Sequence, residues 1–233
     1  MFRMSGVNRV VKAANILGLL LTISIAVLFT QRQSTALGDV PSQSHRCGKS
    51  LADWQALWLS WFIGDTTIAP DDEGNAVVDR VVLMPLPSAP GDGTPASIDV
   101  TLDSGQAFTM PLWSAYGTSY TDGTPNDPLV PLSVFKTLNL KLVIDGRTVI
   151  DQHNVMSYYT QTLFPSPGLL INSPPTKGII SEQCIGILHE PLSVGRHTIT
   201  LDVKNTQALP PQYGGGFPEY HNTWNITVDP CGK

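Results

Sequence analysis

Two short steps in this sequence pair a carboxylate with a histidine: Asp151-Gln152-His153 and Glu219-Tyr220-His221. On an extended strand, residues i and i+2 project to the same side. Each step would then present one oxygen and one imidazole, and two adjacent steps would complete a mixed metal site or an acid and base pair. Both readings need the steps to meet in space. Exposed Asp and His near turns are common, so no metal and no other cofactor is expected.

Other chemical motifs fail on inspection. "CGKS" at Cys47 to Ser50 resembles the end of a phosphate loop, but Gln43 stands where that loop needs glycine. "HEPLS" at His189 opens like a zinc-protease helix, yet Ser193 replaces the second histidine and Pro191 would break the helix. "GTSYT" from Gly117 misses the nucleophile elbow at Thr121. Cys-x-x-Cys is absent. His197 reads as a structural hydrogen-bonding residue, and His45 falls in a lead-in segment. Asp71, Asp72, Glu73 and Asp79 cluster around Gly74 without the twelve-residue calcium pattern, so a solvated turn is expected. "NIT" at Asn225 is a glycosylation acceptor only in a eukaryotic host, and only if Asn225 faces outward.

The elements that must position these residues are short and separated by frequent Pro and Gly. "SIDVTL", "LNLKLVID", "HTITLDV" and "WNITV" alternate with period two, which means one packed face and one wet face. "AVVDRVVLM", "AFTMPLW", "TVID", "YYTQTLF" and "IISEQCIGIL" are further strand candidates. Together they predict a mainly β fold: an antiparallel two-sheet sandwich of about nine strands. Asp145-Gly146 supplies a tight hairpin turn. Two long connections, 114–131 and 205–222, mix aromatic, Gly, Pro and acidic residues. Loops of that length are where binding residues gather, which makes Tyr116, Tyr120, Asp122, Tyr213 and Tyr220 the candidate ligand contacts.

"KSLADWQALWLSWFIG", residues 49–64, carries three of the five tryptophans. Ser50 with Asp53 resembles a capping box and Gly64 is a stop, so a helix is predicted. Trp54, Trp58, Trp61, Leu51, Leu57 and Phe62 fall within an arc of about 140° at 100° per residue. That arc predicts a helix packed on a sheet. The face lacks the Lys and Arg a membrane-surface helix carries, and is too large an apolar patch to stand exposed as a sugar platform.

The first residues carry Arg3, Arg9 and Lys12, then the apolar run Ala13 to Thr30, then "QRQSTALG". That order is a secretory signal, with cleavage after Gly38 or after Ala36. At roughly 18 residues the run also reaches the lower limit for a span, so an uncleaved anchor is the alternative, and the only membrane contact expected. The layout is thus residues 1–38 as leader, 39–49 as lead-in and 50–231 as one domain, secreted or extracytoplasmic. Without its leader, the chain keeps 10 Lys and Arg against 19 Asp and Glu, a formal net charge of −9. Nucleic acid is excluded as a partner on that balance. Of three cysteines, Cys47 and Cys231 would bridge the ends of the mature chain while Cys184 stays a buried thiol; the alternative is that none pair.

The helix "WQALWLSWF", the later "SGQAFTMPLWSAYG", the hairpin "LVIDGRTV" and "EPLSVGRHTITL" follow one another as in a family of uncharacterised secreted proteins, mainly bacterial, which this chain resembles from Leu51 to Val228. It departs where that family has a Trp-Phe strand after the helix and extra cysteines, since "VVLMPLP" stands there. The resemblance implies the sandwich and export, and nothing chemical. The functional expectation is a secreted binding module for a saccharide or a protein, and not an enzyme. The alternatives are an extracytoplasmic hydrolase or lyase acting through loop carboxylates and His153 or His221, and a purely structural envelope component.

Overall fold

The computed structural model describes residues 45–64, 67–165, 168–173, 175–213 and 215–230, without side chains for 170–173 and 212. A small hairpin, β1 (His45–Arg46) and β2 (Lys49–Ser50), leads into α1 (Leu51–Phe62). There follow the hairpin β3 (Ala76–Val78) and β4 (Val81–Leu83), then the long strands β5 (Asp92–Asp103) and β6 (Ala107–Tyr120). The short helix α2 (Leu132–Lys136) precedes the hairpin β7 (Leu138–Ile144) and β8 (Arg147–Ile150). β9 (Tyr159–Leu163), β10 (Leu169–Ser173), β11 (Thr176–His189), β12 (Gly195–Asn205) and β13 (Glu219–Asp229) complete the described strands. These residues belong to one compact unit.

The strands form two packed sheets. One runs β10-β11-β6-β4-β3, with β9 also pairing along β11; the other runs β5-β13-β12-β7-β8. The alternating segments behave as their period requires. Ile98, Val100 and Leu102 of β5, Leu138 to Ile144 at every second position of β7, Ile199, Leu201 and Val203 of β12, and Trp224, Ile226 and Val228 of β13 all turn into the core between the sheets. Pairing is antiparallel except at two places, β4 with β6 and β5 with β13, which are parallel. The expected count of about nine is exceeded because the segment "AVVDRVVLM" divides into the hairpin β3–β4 and because the hairpin β1–β2 and the strand β10 are added.

α1 lies on the outer face of the first sheet, making a third layer. Its N-terminus is a true capping box: the Ser50 side chain accepts from Asp53 N and Asp53 accepts from Ser50 N. The buried face differs from the expected arc. Leu51, Trp54, Gln55, Trp58 and Leu59 are buried, Leu57 and Trp61 are half-buried, and Phe62 is exposed. The helix is rotated so that Gln55, wholly buried, points at the sheet. The cause is beneath it. Gly186 leaves room that a Cβ would close to 2.4 Å from the Gln55 amide carbon, and the amide donates to Thr109 Oγ1 at 2.9 Å. Leu51, Trp54 and Trp58 pack against Ala76, Val81, Leu83, Ala107 and Leu188.

Two indoles fix the crossing between the sheets. Trp58 Nε1 donates to Met84 O at 2.8 Å from the helix layer, and Trp224 Nε1 donates to Pro85 O at 2.7 Å from the second sheet. Consecutive carbonyls of the chain leaving β4 are thereby held from opposite sides. A buried indole N–H needs such an acceptor, so the tryptophans specify this crossover as well as fill space.

Among the described residues no helix is long and apolar enough to cross a membrane; the apolar run Ala13 to Thr30 lies outside them. Cys184 is a buried free thiol, as expected, and Cys47 is exposed, pairs with no cysteine among the described residues and donates to Asp79 O. Cys231 lies outside the described residues, so its bridge to Cys47 stands as an expectation.

Candidate functional site

The two carboxylate-histidine steps do not meet. Asp151 leaves β8 in a turn rather than a strand, because its Oδ1 accepts from His153 N at 2.8 Å and Asn154 Oδ1 accepts from Asp151 N at 2.9 Å. The i, i+2 geometry of a strand is therefore lost there. Glu219 and His221 do share one face of β13, where Asp202 and Lys204 of β12 stand opposite them. His221 Nδ1 lies 2.6 Å from Asp202 Oδ1 and its Nε2 3.2 Å from Glu219 Oε1, while Lys204 Nζ reaches Glu219 Oε2 at 2.7 Å. The hydrogen bond to Asp202, with that to Glu219, raises the His221 pKa. β13 and β8 are three strands apart in the sheet, about 14 Å at 4.7–4.9 Å per spacing. Among the described residues no group of three or more His, Cys, Asp and Glu is arranged to hold a metal. The Glu219 ladder is an exposed cross-strand ion network.

The two long connections do come together. Residues 114–120, read from sequence as loop, continue β6, so the first loop is 121–131 and the second is 206–218. The first folds back on its own strand: Asp127 N donates to Thr118 O at 2.9 Å, and Asp127 Oδ2 accepts from Thr118 N at 3.1 Å and lies 3.0 Å from Tyr120 Oη. Gly117 permits this approach, since a Cβ there would stand 2.6 Å from Ser181 Oγ and 3.1 Å from Asp127 O. The second loop is tied to the first by Tyr213 Oη donating to Pro128 O, and to the start of β7 by Thr206 Oγ1 donating to Thr137 O.

The tyrosines named from sequence are therefore committed to the fold. Tyr120 holds Asp127 and Tyr213 holds Pro128; burial, with the charge of Asp127, pushes the Tyr213 hydroxyl up to about 12. Tyr220 packs against the core beside Gly91, where a Cβ would come within 2.9 Å of its hydroxyl. Tyr116 lies on β6 opposite Glu182. Asp122 is exposed and accepts from Thr124 N at 3.0 Å, which holds its carboxyl below the usual range. The joined loops leave polar residues such as Asp122, Thr124 and Asn126 in solvent together with apolar ones, Leu129 at 40% and Phe217 at 60% exposure, and Leu132, the first residue of α2 directly after the first loop, is 42% exposed.

One titratable residue escaped the sequence reading. Glu182, 2% exposed, has no hydrogen-bond partner among the described residues at either carboxylate oxygen. Burial pushes its carboxyl up to about 7. It sits mid-strand on β11, between Tyr116 of β6 and Thr162 of β9, on the same side as Cys184, whose Sγ lies 3.6 Å from Gln55 Oε1 of α1. The signal was a lone acid inside the apolar run "IISEQCIGIL".

His197 has a structural task. Its Nδ1 lies 2.6 Å from Asp145 Oδ2, and its Nε2 faces Ser193 O at 2.7 Å with Ser193 Oγ farther off at 3.5 Å. Nε2 donates to the carbonyl and is not placed to take a proton from the hydroxyl. Asp145 Oδ1 also accepts from Thr198 N at 2.9 Å. His197 and Thr198 thus clasp the Asp145-Gly146 turn, in which both residues have positive φ. Asp71 likewise closes its own turn on Asn75. Asn225 faces outward and donates to Asp99 Oδ1 at 2.8 Å.

No protein-family model and no curated protein matches the chain. Among solved structures, the solution structure of Amebosin aligns over 60% of this chain and 100% of its own at 13% identity, with a TM-score of 0.18. A likeness that low carries no argument.

Proposed function

We propose that this is an exported β-sandwich binding module whose ligand surface is the end of the sandwich carrying the 121–131 and 206–218 loops. The observation that carries the reading is the exposure of Leu129 and Phe217 on loops that Tyr213 binds together, and of Leu132 where α2 begins directly after the first of them. Loops tied to a rigid scaffold present side chains at little ordering cost, and exposed apolar residues gathered on them mark an interaction surface. Aliphatic side chains with one phenyl ring favour a protein ligand over a saccharide, because the tyrosines that would stack on a sugar are engaged within the fold.

The test is a double variant, Leu129→Asp with Phe217→Ser, compared with wild type on a glycan array and in cross-linking to extracytoplasmic extracts. Circular dichroism checks the fold. We expect one or more proteins captured by wild type and lost by the variant, with the glycan profile unchanged. Identical capture by both chains rejects the loop end as the ligand surface, and glycan binding lost by the variant replaces the protein ligand with a saccharide.

A further inference from the structure

Glu182 is placed where a carboxylate is hard to keep. Residues 181–185 of β11 pair on both sides, with β6 at 113–117 and with β9 at 159–163, so the strand offers its side chain no free backbone N–H. Removing a charge from water without a partner is costly, and a buried acid responds by holding its proton. The groups facing it do not relieve that cost. β6 contributes Tyr116, whose hydroxyl burial pushes up to about 12; β11 contributes Cys184, pushed well above its ordinary range by burial. β9 contributes Thr160 and Thr162, and α1 contributes the neutral amide of Gln55. Through the neutral pH range both the phenol and the thiol stay protonated, so Glu182 alone changes charge.

The neighbouring residue connects this position to the loop end. Gln183 turns to the opposite face, where its Oε1 accepts from Val130 N at 2.7 Å and its Nε2 donates to Val130 O at 3.0 Å. It also donates to Tyr159 Oη at 3.0 Å. One stretch of β11 therefore carries the unpartnered acid on one side and the anchor of the 121–131 loop on the other.

We propose that Glu182 is a proton-controlled latch: with its proton it keeps the outer face of β11 closed and dry, and when the proton leaves to bulk water the carboxylate draws solvent in and loosens β9, β11 and the 121–131 loop. The latch does not depend on what the loop end binds. It makes the order of that loop a function of pH near neutrality, with acid favouring the closed form.

The test is hydrogen exchange between pH 5 and 8, with protection factors corrected for the pH dependence of intrinsic exchange, on peptides spanning 121–131, 159–163 and 181–187. In wild type, protection should fall about tenfold per pH unit up to about pH 7 and then level off, the slope required when only the open form releases the proton. Glu182→Gln should remove the slope. Flat protection in wild type, or the same slope in the variant, overturns the latch. Should the variant not fold, infrared spectroscopy of wild type decides: a protonated-carboxyl band surviving at pH 6 and lost through neutrality supports it, and its absence at pH 6 overturns it.

Discussion

Glu182 makes a residue-scale demand that the whole chain must meet. Its folded carboxyl titrates at about 7 against an ordinary 4.5, so over that interval the unfolded chain releases a proton that the folded chain keeps, and stability falls as pH rises. At roughly 1.4 kcal/mol per pH unit the loss approaches about 3 kcal/mol. His221 acts with the same sign: its raised pKa gives stability that is present below its unfolded value and lost as pH rises through the folded one. Urea denaturation of wild type at pH 5 and pH 8 should show the larger midpoint at pH 5, and Glu182→Gln should lose most of the difference. A midpoint that rises with pH would contradict the burial of this acid. The lone Glu in "IISEQCIGIL" was visible in the sequence as an oddity. Its lack of partners was not, because that depends on what β6 and β9 bring opposite.

At the scale of elements, the alternating strands and the helix start were legible because both are local. A period of two needs only neighbours, and the Ser50–Asp53 box closes within one turn. The helix face was misjudged for a non-local reason: Gln55 is drawn inward by Thr109 and by the space over Gly186, neither of which a helical wheel contains. The same holds for residues 114–120, whose Ser, Gly and Tyr suggest a loop until β11 and the returning Asp127 supply pairing. Asp151 fails as a strand residue because Asn154 and His153 offer it a closer partnership. Trp58, buried and bonded to Met84 O, is one of the anchors that dock α1. Trp58→Ala should cost about 3–5 kcal/mol, read as a lower denaturation midpoint. Trp61→Ala, at a half-buried site, should cost clearly less. Equal costs would refute the observed rotation of the helix.

For the whole molecule, the described residues hold a sandwich with a helix as a third layer, and the acidic surface left after loss of a leader is an expectation that export would explain. N-terminal sequencing of the chain recovered outside the cytoplasm should begin at Asp39 or Leu37. A chain retained in the membrane with Arg3 still present would point to the anchor instead. Candidate chemistry was the least legible scale. The sequence offered four carboxylate and histidine residues in two matching steps, and the fold set them three strands apart; no local pattern encodes which strands become neighbours.

β13 lies between β5 and β12, so among the described residues the first long strand of the second sheet has its one ladder with a segment made more than a hundred residues later. A growing chain cannot close that sheet until residue 229 has emerged, and until then β5 waits with an unpaired, aggregation-prone edge. Keeping such an intermediate safe is a task for whatever holds the chain during synthesis, and a nascent polypeptide that stays open this long is also one that a narrow translocation channel can thread.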